Sequence, residues 1–287
     1  MRRLPRTARA LMLALPLLIL APGCETLDKV LKGVDGPQAS LTSATLSDLD
    51  TESVTLDFDI DVTNPYAVPL PLASISYDLA SRGTPFLTGA APLSGSVPAR
   101  GTKTITLPAR VRFSDLLSAL SGVRPGQVVP YDAGLKLSVD APGVGPIELP
   151  LRQRGELPVP AVPDVQLAGM NWEELSLTNA KAVMRLNIRN TNQFPLDLSA
   201  LDTSLKLAGR NIGQTSIRDA LSLGAGKQGT LEVPISFSPV QFGASILSVL
   251  RGDNADYTLD GAIKGATPFG PVSLPFARSG RTSLTGG

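Results

Sequence analysis

The stretch Val54-Thr-Leu-Asp-Phe-Asp-Ile-Asp-Val62 alternates apolar and polar residues over nine positions. Successive side chains of a β-strand point to opposite faces of a sheet, so the alternation predicts a strand with one buried and one solvated face. A strand with one wet face is typical of antiparallel sheets. The stretch therefore indicates an antiparallel β protein.

The same pattern returns 126 residues later in the chain. Residues 37–108 align with residues 163–234 without a gap, and thirteen of the 72 pairs are identical, including Asn64 with Asn190. Composition alone would give about five identities over this length. The sequence therefore predicts two copies of one domain.

Further alternating runs follow in each copy, separated by Pro, Gly and Asn at intervals of about a dozen residues, as in antiparallel sandwiches. Each copy also contains one helical stretch. Ser114 is predicted to cap the first helix, and Ser238 with Pro239 to start the second. The predicted fold is mostly β, with two tandem β-sandwiches of about seven strands, each carrying one short α-helix.

The first 23 residues have the composition of an export signal. Four arginines precede an apolar run at Leu11–Ala21, which is too short to span a bilayer as a helix. The run ends in Ala21-Pro22-Gly23-Cys24, which resembles the lipobox of bacterial lipoproteins. That resemblance implies that Cys24, the only cysteine, becomes the acylated first residue of the mature chain. Ordinary signal-peptidase cleavage and a buried free thiol are the alternatives.

These patterns divide the chain into consecutive segments. They are a signal peptide at 1–23, a lipidated tether at 24–36, a first sandwich at 37–156, a Pro-rich linker at 157–163, a second sandwich at 164–278 and a disordered tail at 279–287. The linker prolines favour an extended, stiff connector that keeps the two domains apart. Glu25 follows the cysteine, and by analogy with the enterobacterial sorting rule it favours anchoring in the outer membrane, facing the periplasm.

Composition excludes several kinds of function. The chain has 26 Lys and Arg against 25 Asp and Glu, so it lacks the diffuse basic field with which proteins attract nucleic acid. It has no histidine, so Ser-His, Cys-His and His-zinc sites cannot be built. We therefore predict no enzyme activity, no cofactor, no metal and no nucleic-acid partner.

The residues around the first strand resemble a known domain. A strand that ends at Asn64-Pro65-Tyr66, followed by an Ile75–Leu79 strand, is similar to the water stress and hypersensitive response (WHy) domain of the group 2 late embryogenesis abundant family. The hallmark of that family is an Asn-Pro-Asn loop. The first copy has Tyr66 in place of the second Asn, and the second copy, Asn190-Thr191-Asn192, lacks the Pro.

The resemblance implies a fibronectin-type sandwich and a noncatalytic role in protection against desiccation. The leading hypothesis is an envelope lipoprotein that acts in stress protection or as an interaction module, with envelope proteins or lipid as partners. The alternative is a carrier of lipid or an apolar small molecule between its sheets. The Asn64 loop itself is predicted to form a turn, because Pro65 keeps Asn64 out of the helical region and Asn side chains bond to turns; ligand contact is the alternative.

Three acids on one strand face, Asp57, Asp59 and Asp61, suggest a cation site. An EF-hand loop would require Gly at position 62 and Glu at position 68, where Val62 and Val68 stand. The second copy also has other residue types at the three acidic positions. A solvated strand face is therefore the favoured interpretation.

Overall fold

The computed structural model of the chain describes residues 35–176, 178–218, 221–242 and 254–283. The described residues from Pro37 onward belong to one compact unit. The predicted signal peptide, most of the tether with Cys24, and the last four residues lie outside the described residues.

The first repeat is a sandwich of two antiparallel sheets. One sheet has the order β1-β2-β6, and the other has the order β4-β3-β7-β8 with the short β5 beside β3. A seven-residue helix, α1 (Phe113–Ala119), connects β6 to β7. The strands are β1 (Gln38–Ser47), β2 (Ser53–Thr63), β3 (Leu70–Ser81), β4 (Thr84–Pro92), β5 (Ser96–Val97), β6 (Thr102–Arg112), β7 (Val128–Ala141) and β8 (Gly145–Pro158).

The second repeat has the same topology. One sheet has the order β14-β10-β9, and the other has the order β12-β11-β15-β16 with β13 beside β11. Both β11 and β15 begin 126 residues after β3 and β7, so the sequence offset is also the structural offset. The strands are β9 (Asp164–Leu175), β10 (Ala180–Arg189), β11 (Leu196–Leu207), β12 (Arg210–Ile217), β13 (Leu221–Leu223), β14 (Gln228–Phe237), β15 (Asn254–Thr267) and β16 (Gly270–Ser283).

The alternation in β2 decides which side chains enter the core. Val54, Phe58 and Val62 are fully buried, while the acids between them stay half-exposed on the opposite face. Leu135 and Leu137 face the same interior from the other sheet and are at most 1% exposed. The prediction of two tandem, mostly β sandwiches is therefore confirmed.

The helix start differs from the prediction. The structure begins α1 at Phe113 with Arg112 as its N-cap and without a side-chain cap, so the prediction that Ser114 caps this helix is wrong. Phe113 is buried, and its N–H donates to the Glu52 carbonyl at 2.8 Å, so the sheet fixes the start of the helix. In the second repeat a 3-10 helix at Pro239–Phe242 is described, and the rest of the predicted helix lies outside the described residues.

Strand boundaries also differ at two places. β8 runs to Pro158, and so includes the first two residues of the predicted linker. β16 runs to Ser283 and thus covers residues 279–283 of the predicted tail, where Ser279 and Ser283 pair with β15. Residues 279–283 are polar, but β16 is an edge strand. Its backbone can pair with the long β15 without burying apolar side chains.

The connector at residues 159–163 is packed against both repeats, contrary to the expected separation of the domains. Val159 is 1% exposed, and its carbonyl accepts from the Gly126 N–H at 2.6 Å. At the other end, the Pro163 carbonyl accepts from the Arg278 side chain at 3.5 Å. The connector has no regular secondary structure, and residues of both repeats donate to its carbonyl groups.

Truncation of the central core residue tests this packing. Phe58→Ala removes a fully buried ring, and we expect it to lower the free energy of unfolding of the first repeat by about 3–5 kcal/mol. Thr55→Ala, on the solvated face of the same strand, should cost less than about 1 kcal/mol. Urea unfolding followed by circular dichroism measures both, and equal losses would contradict the assigned strand faces.

Candidate functional site

Asn64 lies where the chain crosses from one sheet to the other. It follows β2 of the three-stranded sheet and begins the connection to β3 of the five-stranded sheet. The side chain is 1% exposed. A buried amide costs free energy unless its donors and acceptor are paired, so its partners define what the residue does.

The Asn64 side chain is fully paired within the first repeat. Its Nδ2 donates to the carbonyl oxygens of Val68 at 2.8 Å, Val97 at 3.2 Å and Pro98 at 3.0 Å. Its Oδ1 accepts from the Tyr66 N–H at 2.9 Å. One amide therefore ties the β2–β3 connection to the β5–β6 connection.

Asn190 repeats this arrangement in the second repeat and is fully buried. Its Nδ2 donates to the carbonyls of Phe194 at 2.8 Å, Leu223 at 3.1 Å and Gly224 at 3.2 Å. Its Oδ1 accepts from the Asn192 N–H at 3.0 Å. Each partner lies 126 residues beyond its counterpart in the first repeat, so the two loops are one structure used twice.

The third position of the loop distinguishes the repeats. Tyr66 is half-buried and packs against the hydrophobic core. Asn192 is 2% exposed and bonds to the connector: its Nδ2 donates to the Ala161 carbonyl at 3.1 Å, and its Oδ1 accepts from the Ala161 N–H at 2.7 Å. The second loop therefore holds the connector in place.

The second loop also contacts the first repeat directly. The Gln193 N–H donates to the Gly126 carbonyl at 2.7 Å, and the Gln193 Oε1 accepts from the Val128 N–H at 3.4 Å. Gly126 has a φ of +93°, and a Cβ there would lie 2.8 Å from the Thr191 carbonyl oxygen, so only glycine fits. Sequence reasoning missed Gln193 and Gly126, since neither residue type indicates a joint between domains.

The three acids of β2 are bonded to hydroxyl groups of the neighbouring strands. Asp59 accepts from Ser43 at 2.6 Å and from Thr106 at 2.7 Å, and Asp61 accepts from Thr104 at 2.6 Å. Asp57 likewise accepts from a serine hydroxyl of β1. The bonds from Ser43 and Thr106 stabilise the carboxylate of Asp59 and lower its pKa below the ordinary 3.8.

A metal-binding cluster, a membrane-spanning helix or a pocket in the described residues would also indicate a function. In the described ranges, no group of three or more Cys, Asp or Glu side chains is placed to hold a metal ion. Nor does that part of the chain contain a helix long and apolar enough to cross a membrane. A shallow pocket of about 540 Å³ lies over β11, β12 and β15 and is lined by polar groups such as Asp202, Gln214 and Asp260.

The space between the sheets is filled by side chains. The largest, including Phe58 and Leu137 in the first repeat and Met184 and Leu186 in the second, are less than 2% exposed. An apolar ligand would have to displace these residues, and packed interiors resist such insertion. The packing gives the carrier hypothesis no support.

Replacing the buried amide by a carboxyl tests the role of the loop. Asn64→Asp keeps Oδ1 but removes both N–H donors, and we expect it to lower the free energy of unfolding at pH 7 by about 3 kcal/mol or more. Asn190→Asp should do the same. Burial raises the pKa of the new carboxyl in the folded state, so the loss should shrink as the pH falls toward about 4.

The exposed Asn211 provides the matched control, because Asn211→Asp makes the same chemical change without burial. It should change stability by less than about 0.5 kcal/mol. Chemical denaturation at both pH values measures all three variants. Equal effects of Asn64→Asp and Asn211→Asp would contradict a structural role for the loop amide.

The pKa of Asp59 is a second test. Ser43→Ala or Thr106→Val should raise this pKa toward 3.8, whereas Ser40→Ala on the same strand as Ser43 should not. Because the folded pKa lies below the unfolded value, the carboxylate stabilises the fold above pH 3.8, and this contribution is lost as the pH falls through the folded pKa. NMR titration of the side-chain carboxyl measures each value. An unchanged pKa in both variants would show that the hydroxyl bonds are not its cause.

The chain is similar to plant desiccation and late embryogenesis abundant proteins over about half of its length. The chain is 33% identical over 129 residues to the desiccation protectant protein Lea14 homolog of Glycine max, covering 45% of this chain and 85% of the relative. It is 31% identical over 138 residues to the late embryogenesis abundant protein Lea14-A of Gossypium hirsutum, covering 48% and 91%. The solution structure of a protein from Arabidopsis thaliana matches 45% of this chain and 85% of its own length, at 29% identity and a TM-score of 0.37.

The late embryogenesis abundant protein model LEA_2 matches residues 59–155 and again residues 185–280. The two matches start 126 residues apart, at the same offset as the repeats. The chain belongs to the LEA_2 family of late embryogenesis abundant proteins and contains two tandem copies of its domain.

Proposed function

We propose that the chain is a noncatalytic stress-protection module of the bacterial cell envelope, anchored by acyl chains on Cys24 and acting through contacts with envelope proteins or lipid headgroups. Its family and the names of its relatives, which describe desiccation proteins, support a stress-related role. The duplicated sandwiches provide the body that is presented at the membrane.

The pairing of the loop amides carries the noncatalytic part of the proposal. Asn64 and Asn190 lie in the motif that distinguishes the family. The Nδ2 and Oδ1 atoms of both side chains are hydrogen-bonded to main-chain groups of the fold. A catalytic or binding amide needs at least one donor or acceptor aimed at a ligand. These loops therefore supply rigidity.

The outer sheet faces provide the contact surface of the module. On β2, carboxylates alternate with the buried residues and are held by hydroxyl groups from β1 and β6. Such side chains offer ordered hydrogen-bonding groups on a rigid plane. When envelope proteins or lipid headgroups lose water, such a surface can provide hydrogen bonds in place of those that the water made.

Acylation would suffice to keep this body at a membrane. The arginine-rich start, the apolar run and the single cysteine follow one another in the order that export and lipidation require. Each buried methylene adds about 0.8 kcal/mol, so two or more chains hold a globular domain stably. The sequence after Glu25 then faces the periplasm.

Expression of the chain in a bacterium that lacks it tests the proposal. For wild type, the mass of the mature N-terminal peptide should include a diacylglycerol thioether on Cys24, and the protein should fractionate with the outer membrane. Cys24→Ser removes only the acceptor sulfur, so we expect this variant to be released from the membrane. Survival after drying should be higher with wild type than with Cys24→Ser or with no protein.

Four outcomes would contradict separate parts of the proposal. An unmodified Cys24 would remove the anchor, and equal survival of all three strains would remove the stress role. Turnover of an envelope substrate that one Asp or Ser substitution abolishes would identify an enzyme. Lipid that copurifies at a fixed ratio in native mass spectrometry would favour a carrier.

A further inference from the structure

The chain enters the first repeat at one particular end of the sandwich. Gln38, at the start of β1, pairs with Thr63 at the end of β2, next to the Asn64 loop. Leu72 pairs with Val139, so the β7–β8 hairpin lies at this end too. We call this end, formed by residues 64–69, 98–101 and 142–144, the Asn64 tip.

The Asn64 tip exposes apolar side chains. Val68 is 46% exposed and Val144 is 52% exposed, and in the described part of the chain only Val240 joins them as an exposed large hydrophobic residue. Arg100 is the only charged residue in the three connections of the tip. The three connections thus carry two exposed valines and one basic group, and the acid next to them along the chain, the exposed Asp140, lies two residues before the 142–144 turn.

The equivalent end of the second repeat is covered. The counterpart of Val68 is Phe194, and the counterpart of Val144, the residue before β8, is Phe269, the residue before β16, because the second hairpin is one residue shorter. The two Phe rings meet edge to face with centroids 5.5 Å apart. Phe194 is 4% exposed. Phe269 borders a hollow of about 530 Å³ together with residues of the first repeat, including Tyr131.

The Asn64 tip and the covered end of the second repeat are therefore equivalent surfaces of the two sandwiches, one exposed and one in contact with the other repeat. In the second repeat this surface is docked on the first repeat, where Gln193 bonds to Gly126. In the first repeat the surface lies at the opposite end of β7 and β8 from that joint, away from the described residues of the second repeat that form the joint. Among the described residues of the two repeats, this apolar docking surface is thus left without a partner.

A lipid surface is the partner that we infer for the tip, because the acylated tether would hold the tip near the membrane. Cys24 precedes Pro37 by thirteen residues, which span at most about 45 Å when extended. A short tether of this kind gives the tip a high effective concentration at the membrane. Exposed valines beside a basic group match the boundary between acyl chains and anionic headgroups.

We propose that the Asn64 tip lies on the headgroup surface of the membrane, with Val68 and Val144 inserted at the lipid interface. This inference rests on the proposed acyl anchor, which brings the tip to the bilayer. The first repeat then stands upright on the membrane, and the second repeat projects away from it. The tip thus fixes the orientation in which the polar sheet faces are displayed.

Site-specific labelling of the mature lipidated protein tests the orientation. Val68→Cys and Val144→Cys each add one thiol for an environment-sensitive fluorophore, while acylated Cys24 remains blocked. Val240→Cys is the matched control, because Val240 is 64% exposed and belongs to the second repeat. The labelled proteins are reconstituted in vesicles of phosphatidylethanolamine and phosphatidylglycerol, with and without brominated acyl chains.

Brominated lipid should quench the labels at positions 68 and 144 by about twofold or more and leave the label at position 240 unchanged. Equal, weak quenching at all three positions while the protein stays on the vesicles would overturn the tip contact but leave the anchor. Shielding that depends on protein concentration and not on lipid would identify a second copy as the partner. Labelling of wild type at Cys24, or loss of the protein from the vesicles, would instead overturn the anchor.

Discussion

Each sandwich depends on one buried asparagine amide at the crossing between its two sheets. At this crossing the main chain leaves one ladder and has not yet joined the next, so several carbonyl groups need donors from elsewhere. Asn64 provides donors to three of them and accepts from a fourth group, and Asn190 does the same. Because unpaired buried polar groups are costly, this amide links the β2–β3 and β5–β6 connections and so fixes how the sheets face each other.

Much of the fold follows from local patterns in the sequence. Alternation in the stretch from Val54 to Val62 assigns the buried face of β2, and the 126-residue offset carries that assignment to β10. The turn-forming nature of the Asn64 loop is also readable, because Pro and Asn act on adjacent backbone. The hydrogen-bond partners Val97 and Pro98 could not be predicted from local sequence, since they lie 33 and 34 residues further along the chain.

The errors share a physical cause, which is that tertiary contacts replace local signals. Ser114 has the residue type of a cap, but the buried Phe113 ring and its N–H bond to Glu52 start the helix two residues earlier. Residues 279–283 look like a loose tail, but β15 is long enough to pair with them. The connector prolines predict a spacer that keeps the domains apart, yet the connector carbonyls accept bonds from Gly126 and Arg278.

Comparison of the two loops distinguishes the residue that the fold requires from the residues that are free to make other contacts. The first Asn keeps the same partners in both repeats, so the fold constrains it. The third position is free of that constraint: Tyr66 packs against the hydrophobic core, whereas Asn192 bonds to the connector. The same freedom extends to Val68 and Phe194, since only the main-chain carbonyl of each is needed by the amide. Side chains around the amide can therefore adapt to whatever the end of each sandwich meets, while the amide itself holds the loop.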